Sequence, residues 1–165
     1  MNYLNINEEK VTPVVIELNT LLADYHLYYQ KLRNFHWNIM GRNFFDLHEK
    51  FEELYEDART KIDEIAERIL TLRYHPLSNL TEYLQTSNIP ESKSNLDDVT
   101  MVSEILEAHK MLLAQMTKAV EEADKIGDEG TIDLIGAYIR ELEKTSWMLN
   151  AWSKNTSDNL KEVVA

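Results

Sequence analysis

Cysteine is absent from this 165-residue chain, and glycine and proline are scarce, at four and three residues. Without cysteine there can be no disulfide, no thiolate metal site and no thiol nucleophile. So few glycines and prolines cannot supply the many tight turns of an all-β fold, which leaves helix as the expected state. No apolar run approaches the roughly 20 residues needed to span a bilayer. The opening MNYLNINEEK lacks the basic start and apolar stretch of an export signal, so a cytoplasmic protein is expected. Basic residues are also in deficit, 17 Lys and Arg against 29 Asp and Glu, for a net charge of −12. Affinity for nucleic acid comes largely from basic groups that displace counterions, so this balance disfavours a phosphate-backbone partner and favours cations.

What is present is helical periodicity. From Thr12, a plausible N-cap before Pro13, apolar residues recur at Val14, Val15, Leu18, Leu21, Leu22, Tyr25, Tyr28, Tyr29, Leu32 and Phe35. Gly41 interrupts the pattern, and a second helix is predicted from about Phe44 to Arg73, closed by Pro76. The polar segment from Leu77 to Asn95 has room for one short helix near Thr81–Gln85. A connection this long must travel along the body of the fold. Asp97 or Asp98 caps a third long helix, GDEG at 127–130 turns the chain, and a fourth carries Ile132 to Trp152. Short, long and short links define an all-α, ferritin-like four-helix bundle whose crossover lies between the second and third long helices. One domain over residues 1–165 is expected, with flexible tails at 1–11 and 156–165.

Two histidines flank the first turn, and an acidic helix follows. Neutral imidazole with carboxylate suits iron, zinc or manganese. His36 and His48 lie on either side of Gly41, so an antiparallel hairpin brings both to one end of the bundle. Asp63 and Glu67 are four apart and share a helix face beside Ile62, Ile65, Ala66 and Ile69. His48 and Asp63, however, are fifteen positions apart on one helix, roughly 22 Å at 1.5 Å per residue. A single chain cannot place both on one metal. Either they serve separate sites, or a two-fold axis lays two such helices antiparallel and joins His48 of one subunit to Asp63 and Glu67 of its neighbour. An in-bundle di-iron site would need Glu three residues before a histidine, yet those positions hold Ala23, Arg33, Phe45, Leu72 and Leu106. The zincin pattern fails too, because Glu52 stands where its second histidine belongs. His26, His75 and His109 have no acidic company at ligand spacing and read as structural.

The run HWN…G…F…LH followed by FEELYEDARTKIDEIAER, and later DLIGAYIRELEKTSWML, resembles the signature of the Dps family, the mini-ferritins or DNA-binding proteins from starved cells. The resemblance covers nearly the whole chain. It implies a hollow tetrahedral homododecamer built from two-fold dimers, with a two-iron ferroxidase centre at each two-fold interface. His36 and His48 would come from one subunit and Asp63 and Glu67 from the other. Glu52 would match a carboxylate that binds the second iron, frequently Asp in the family. The implied activity is oxidation of Fe(II) to Fe(III), with hydrogen peroxide preferred to dioxygen, and storage of the ferric mineral as protection against oxidative damage. Zinc or manganese would compete for the same ligands. Trp37, beside His36, would supply or quench an oxidising equivalent, or simply pack. Glu49 and Glu53 would nucleate mineral or stabilise a helix N-terminus. Asp128, Glu129 and Asp133 match the region lining the family's three-fold pores, where caps of the fourth helix are the competing role. DNA-binding members carry Lys- or Arg-rich tails. Here MNYLNINEEK and NTSDNLKEVVA are not basic, so direct DNA binding and nucleoid compaction form the weaker alternative.

Overall fold

A computed structural model describes residues 10–154 and 161. Among them are five helices and no strand: α1 (Thr12–Asn38), α2 (Phe44–Thr71), α3 (Leu80–Thr86), α4 (Asp98–Asp124) and α5 (Glu129–Trp152). Side-chain pairs fix the directions. Glu17, Tyr28 and Lys31 of α1 bond to Gln115, His109 and Glu104 of α4, in reverse order, so the two helices are antiparallel. Likewise Lys61 and Arg68 of α2 pair with Glu141 of α5 and with Asp128, the residue that caps α5. The apolar stripes of the four long helices meet in one core, with Leu18, Leu32, Phe35, Phe51, Ile65, Ile105, Leu112 and Ile135 wholly buried. Each such side chain contributes on the order of 1.5–3 kcal/mol relative to its exposed state.

The crossover climbs α1 step by step. Tyr74 meets Thr12, the Leu77 amide donates to Asn19, the Asn88 amide donates to Asp24, and Lys31 and Asn34 bond to Ser92 and its carbonyl. At the far end Asn43 donates to Asp98 at 2.6 Å, tying the start of α2 to the start of α4. The long connection therefore spans the length of the bundle and leaves α2 and α4 parallel, as the link lengths predicted.

Local boundaries differ slightly from the periodicity. Thr12 lies inside α1, and the N-cap is Val11, which has no side-chain cap bond. Helix α2 ends at Thr71 rather than Arg73, because Arg73 adopts φ 71° and turns the chain so that the Tyr74 amide reaches the Ile69 carbonyl. Asp97, not Asp98, caps α4 by accepting the Thr100 amide. The expected tails lie outside the described residues except for Lys10, Val11 and Lys161, and Val11 is buried at 2% exposure.

Candidate metal centre

The hairpin between α1 and α2 builds the site. Phe35 anchors the last turns of α1 in the core, which turns the neighbouring His36 toward α2. Gly41, at φ 104°, makes the reversal that few other residues adopt without strain. Leu47 and Phe51 then bury α2 and present His48 to His36. The two imidazoles stack with ring centroids 3.8 Å apart and planes 21° from parallel. Phe44 stacks on the outer side of His48 at 5.0 Å, and Tyr55 meets His36 edge-on at 5.3 Å.

The hydrogen bonds are reciprocal. His36 Nδ1 is 2.8 Å from the His48 carbonyl oxygen, and His48 Nδ1 is 2.9 Å from the His36 carbonyl oxygen. A carbonyl only accepts, so each Nδ1–H donates, and in each neutral ring the lone pair is left on Nε2. Backbone bonds of this kind fix the tautomer and orientation of metal-binding histidines. Glu52, one turn after His48, completes a set whose ligand atoms all lie within 4.8 Å of one another. Burial, followed by the charge of the nearby Glu52 carboxylate, raises the pKa of the Tyr55 phenol. Three donors of mixed nitrogen and oxygen type, two of them pre-oriented, fit a first-row transition metal and leave its coordination unfinished.

Asp63 and Glu67 share an exposed face of α2 but stand apart from this cluster, as the helical rise requires. Trp37 is 58% exposed, with the Arg33 guanidinium over its ring at 4.6 Å. Glu49 is exposed, and Glu53 pairs with Lys50 at 2.8 Å. The three acids expected near a pore separate. Glu129 and Asp133 are exposed, whereas Asp128 is 2% exposed, caps α5 through the Thr131 amide and pairs with Arg68. Asp128 accepts from the Arg68 guanidinium and from both the amide and the hydroxyl of Thr131, so three of its roughly four acceptor sites serve the start of α5. Of the histidines read as structural, His26 stacks on Tyr83 at 3.9 Å and His109 is buried in the bundle.

The residues that sequence reasoning missed are Phe44 and Tyr55, which wall the imidazole pair. Tyr55 stands seven positions after His48, two helical turns along the same face, and that spacing was the available signal.

A crossover four-helix bundle with a nitrogen- and oxygen-donor cluster at its hairpin end, rather than in its core, defines a ferritin-like protein. Comparison with known proteins makes this specific. The family described as ferritin-like domain matches residues 16–158. DNA protection during starvation protein 2 of Bacillus anthracis is 44% identical over 139 residues, covering 84% of this chain and 95% of that one. The solved DPS protein of Vibrio cholerae O1, a member of a broad superfamily of ferritin-like diiron-carboxylate proteins, is 42% identical with a TM-score of 0.90, over 93% of this chain and 97% of its own. A solved Listeria innocua Dps variant, with two histidines twelve positions apart changed to glycine, is 28% identical with a TM-score of 0.82, over 84% of this chain and 93% of its own. The chain belongs to the Dps family of ferritin-like proteins, which supports a general role in iron handling and protection. No helix among the described residues is long and apolar enough to cross a membrane.

Proposed function

We propose that this protein is a ferroxidase that oxidises Fe(II), preferentially with hydrogen peroxide, and stores the ferric product inside a hollow homododecamer in the cytoplasm. The observation that carries the reading is the His36–His48–Glu52 cluster, with both Nε2 lone pairs free and too few donors to finish a site. Asp63 and Glu67 of the partner subunit supply the missing carboxylates. The length of α2 forbids the same chain from doing so. A two-fold dimer then holds two equivalent centres, each taking two irons as substrate.

In the net reaction two Fe(II) each give one electron to hydrogen peroxide, and with two protons the products are two Fe(III) and two water molecules. Hard carboxylates hold Fe(III) more tightly than Fe(II) and favour this direction, while imidazole suits both states. Paired one-electron donors take peroxide to water without releasing hydroxyl radical. Zinc and manganese accept the same donors and act as competitors. Exposed Glu49, Glu53, Glu129 and Asp133 extend the negative field that draws Fe(II) in and nucleates mineral. With a net charge of −12 per chain, DNA is protected by chemistry rather than by binding.

The test is anaerobic Fe(II) loading of the purified assembly, followed by stoichiometric peroxide or, separately, air. Rapid oxidation by peroxide in wild type, lost in a His36→Ala/Asp63→Ala variant whose assembly is intact by light scattering, supports the reading. Equal slow oxidation in both proteins sinks it.

A further inference from the structure

The proposed iron chemistry leaves a buried polar chain in the middle of the bundle without a task. Tyr28 of α1 lies 2.7 Å through its hydroxyl from His109 Nε2 of α4, and His109 Nδ1 lies 2.8 Å from Ser146 Oγ of α5. Ser146 in turn donates its proton to the Leu142 carbonyl at 2.6 Å. That last bond orders the chain. With its proton committed, the Ser146 oxygen accepts from His109 Nδ1–H, so Nε2 carries the lone pair and the Tyr28 hydroxyl donates to it. Tyr28 and His109 are 2% and 1% exposed.

We infer that Tyr28 and His109 form a redox site, in which Tyr28 gives an electron to a one-electron oxidant while its phenolic proton passes to His109 Nε2. With hydroxyl radical as the oxidant, the products are a neutral tyrosyl radical, an imidazolium and hydroxide, and the Tyr28 O–H bond is the bond that breaks. Burial pushes the His109 pKa down to about 3, which keeps the ring neutral and its lone pair available at ordinary pH. An oxidised phenol is a far stronger acid than imidazolium, so the proton still moves toward His109.

The surrounding tyrosines show why the electron would come from Tyr28. Tyr25 packs edge-on against both Tyr28, at 6.2 Å, and Tyr138, at 6.4 Å, yet its own buried hydroxyl has no hydrogen-bond partner. Oxidation there would strand a positive charge in the core. Tyr28 has a base in place. Toward the metal centre, Tyr55 touches His36 at 5.3 Å and Tyr29 at 5.9 Å, and Tyr29 is the chain neighbour of Tyr28. Tyr29, Tyr55 and His36 thus form a run of ring contacts that ends at the hairpin. As the source of oxidant, a lone Fe(II) that splits peroxide into hydroxide and hydroxyl radical rests on the proposed metal centre. The Tyr28–His109 pair itself does not.

The experiment has two arms on the full-length assembly. In the first, metal-free protein is oxidised by a photogenerated one-electron oxidant, and radicals are trapped by freezing and read by electron paramagnetic resonance with ring-deuterated tyrosine. The expected result is a tyrosyl signal that is lost in Tyr28→Phe and in His109→Gln and kept in Tyr25→Phe. Its formation slows in D2O. In the second arm, less than one Fe(II) per subunit is mixed with excess peroxide and gives the same Tyr28-dependent signal. A first-arm signal that is unchanged in Tyr28→Phe, or no tyrosyl signal at all, overturns the redox pair. Tyr28→Phe keeps the ring, and its folding is checked by thermal unfolding. A purely packing role would lower the melting temperature and leave radical yield unmoved. A signal in the first arm but not in the second overturns the link to the metal centre alone.

Discussion

Two histidine sites in one bundle differ in which nitrogens the protein has already engaged. At the hairpin, His36 and His48 spend Nδ1 on each other's backbone carbonyl and keep Nε2 free beside Glu52. In the core, His109 spends both nitrogens, one on Tyr28 and one on Ser146. Neither burial nor residue type separates them, since His36 is itself only 8% exposed. A histidine open to a metal is one whose second nitrogen the fold leaves unused within reach of a carboxylate. A structural or proton-accepting histidine is one whose donors and acceptors close within the chain.

The sharpest break of this contrast is to remove the hairpin pair. His36→Ala/His48→Ala should lose Fe(II) binding by roughly 100-fold or more, since even the partners that merely orient a ligand are worth 10–100-fold. His109→Ala should leave that affinity unchanged, with isothermal titration as the readout for both. The core site answers in stability instead. His109→Ala leaves the buried Tyr28 hydroxyl unpaired, removes the donor to the Ser146 oxygen and opens a void, for a loss of about 3 kcal/mol in denaturant unfolding.

Asp128→Ala tests whether that acid belongs to the fold. Loss of the α5 cap and of the Arg68 partner should destabilise by about 2–3 kcal/mol, while Glu129→Gln should change stability by less than about 0.5 kcal/mol.

The most gradual effect is in pH dependence, because it is spread over several pH units. Burial lowers the folded pKa of His109 to about 3, below its unfolded value near 6.5, so the unfolded chain binds the extra proton between those values. The His109 contribution is therefore whole above pH 6.5 and falls by up to about 1.4 kcal/mol per pH unit as the pH drops toward 3. The stability gap between wild type and His109→Gln should narrow over that window. A constant gap would mean the ring is not held neutral.

The long helices were legible in the sequence because their apolar residues repeat at 3.6 and because scarce Gly and Pro mark the turns. The crossover was legible only by its length. Its path along α1 depends on single side chains such as Asn19, Asp24 and Lys31, polar residues on a helix that otherwise buries apolar ones. His36 and His48 could be read from their spacing about one turn, and Glu52 from the family resemblance. The reciprocal carbonyl bonds could not, since backbone acceptors carry no sequence signal. Asp128 was ambiguous in sequence because an acid at a helix N-terminus serves a cap or a pore equally well. The Tyr28–His109 bond joins residues 81 positions apart, which no local pattern reveals.

Subunit mixing tests whether the metal centre is shared between chains. A His36→Ala/His48→Ala chain and an Asp63→Ala/Glu67→Ala chain are each expected to be inactive in rapid Fe(II) oxidation. Co-assembled after joint refolding, each mixed dimer should regain one of its two centres, with the histidines of one chain and the acids of the other both intact. Recovery of rapid peroxide-dependent oxidation in the mixture is the predicted result. A mixture as inactive as its two components would contradict the shared site.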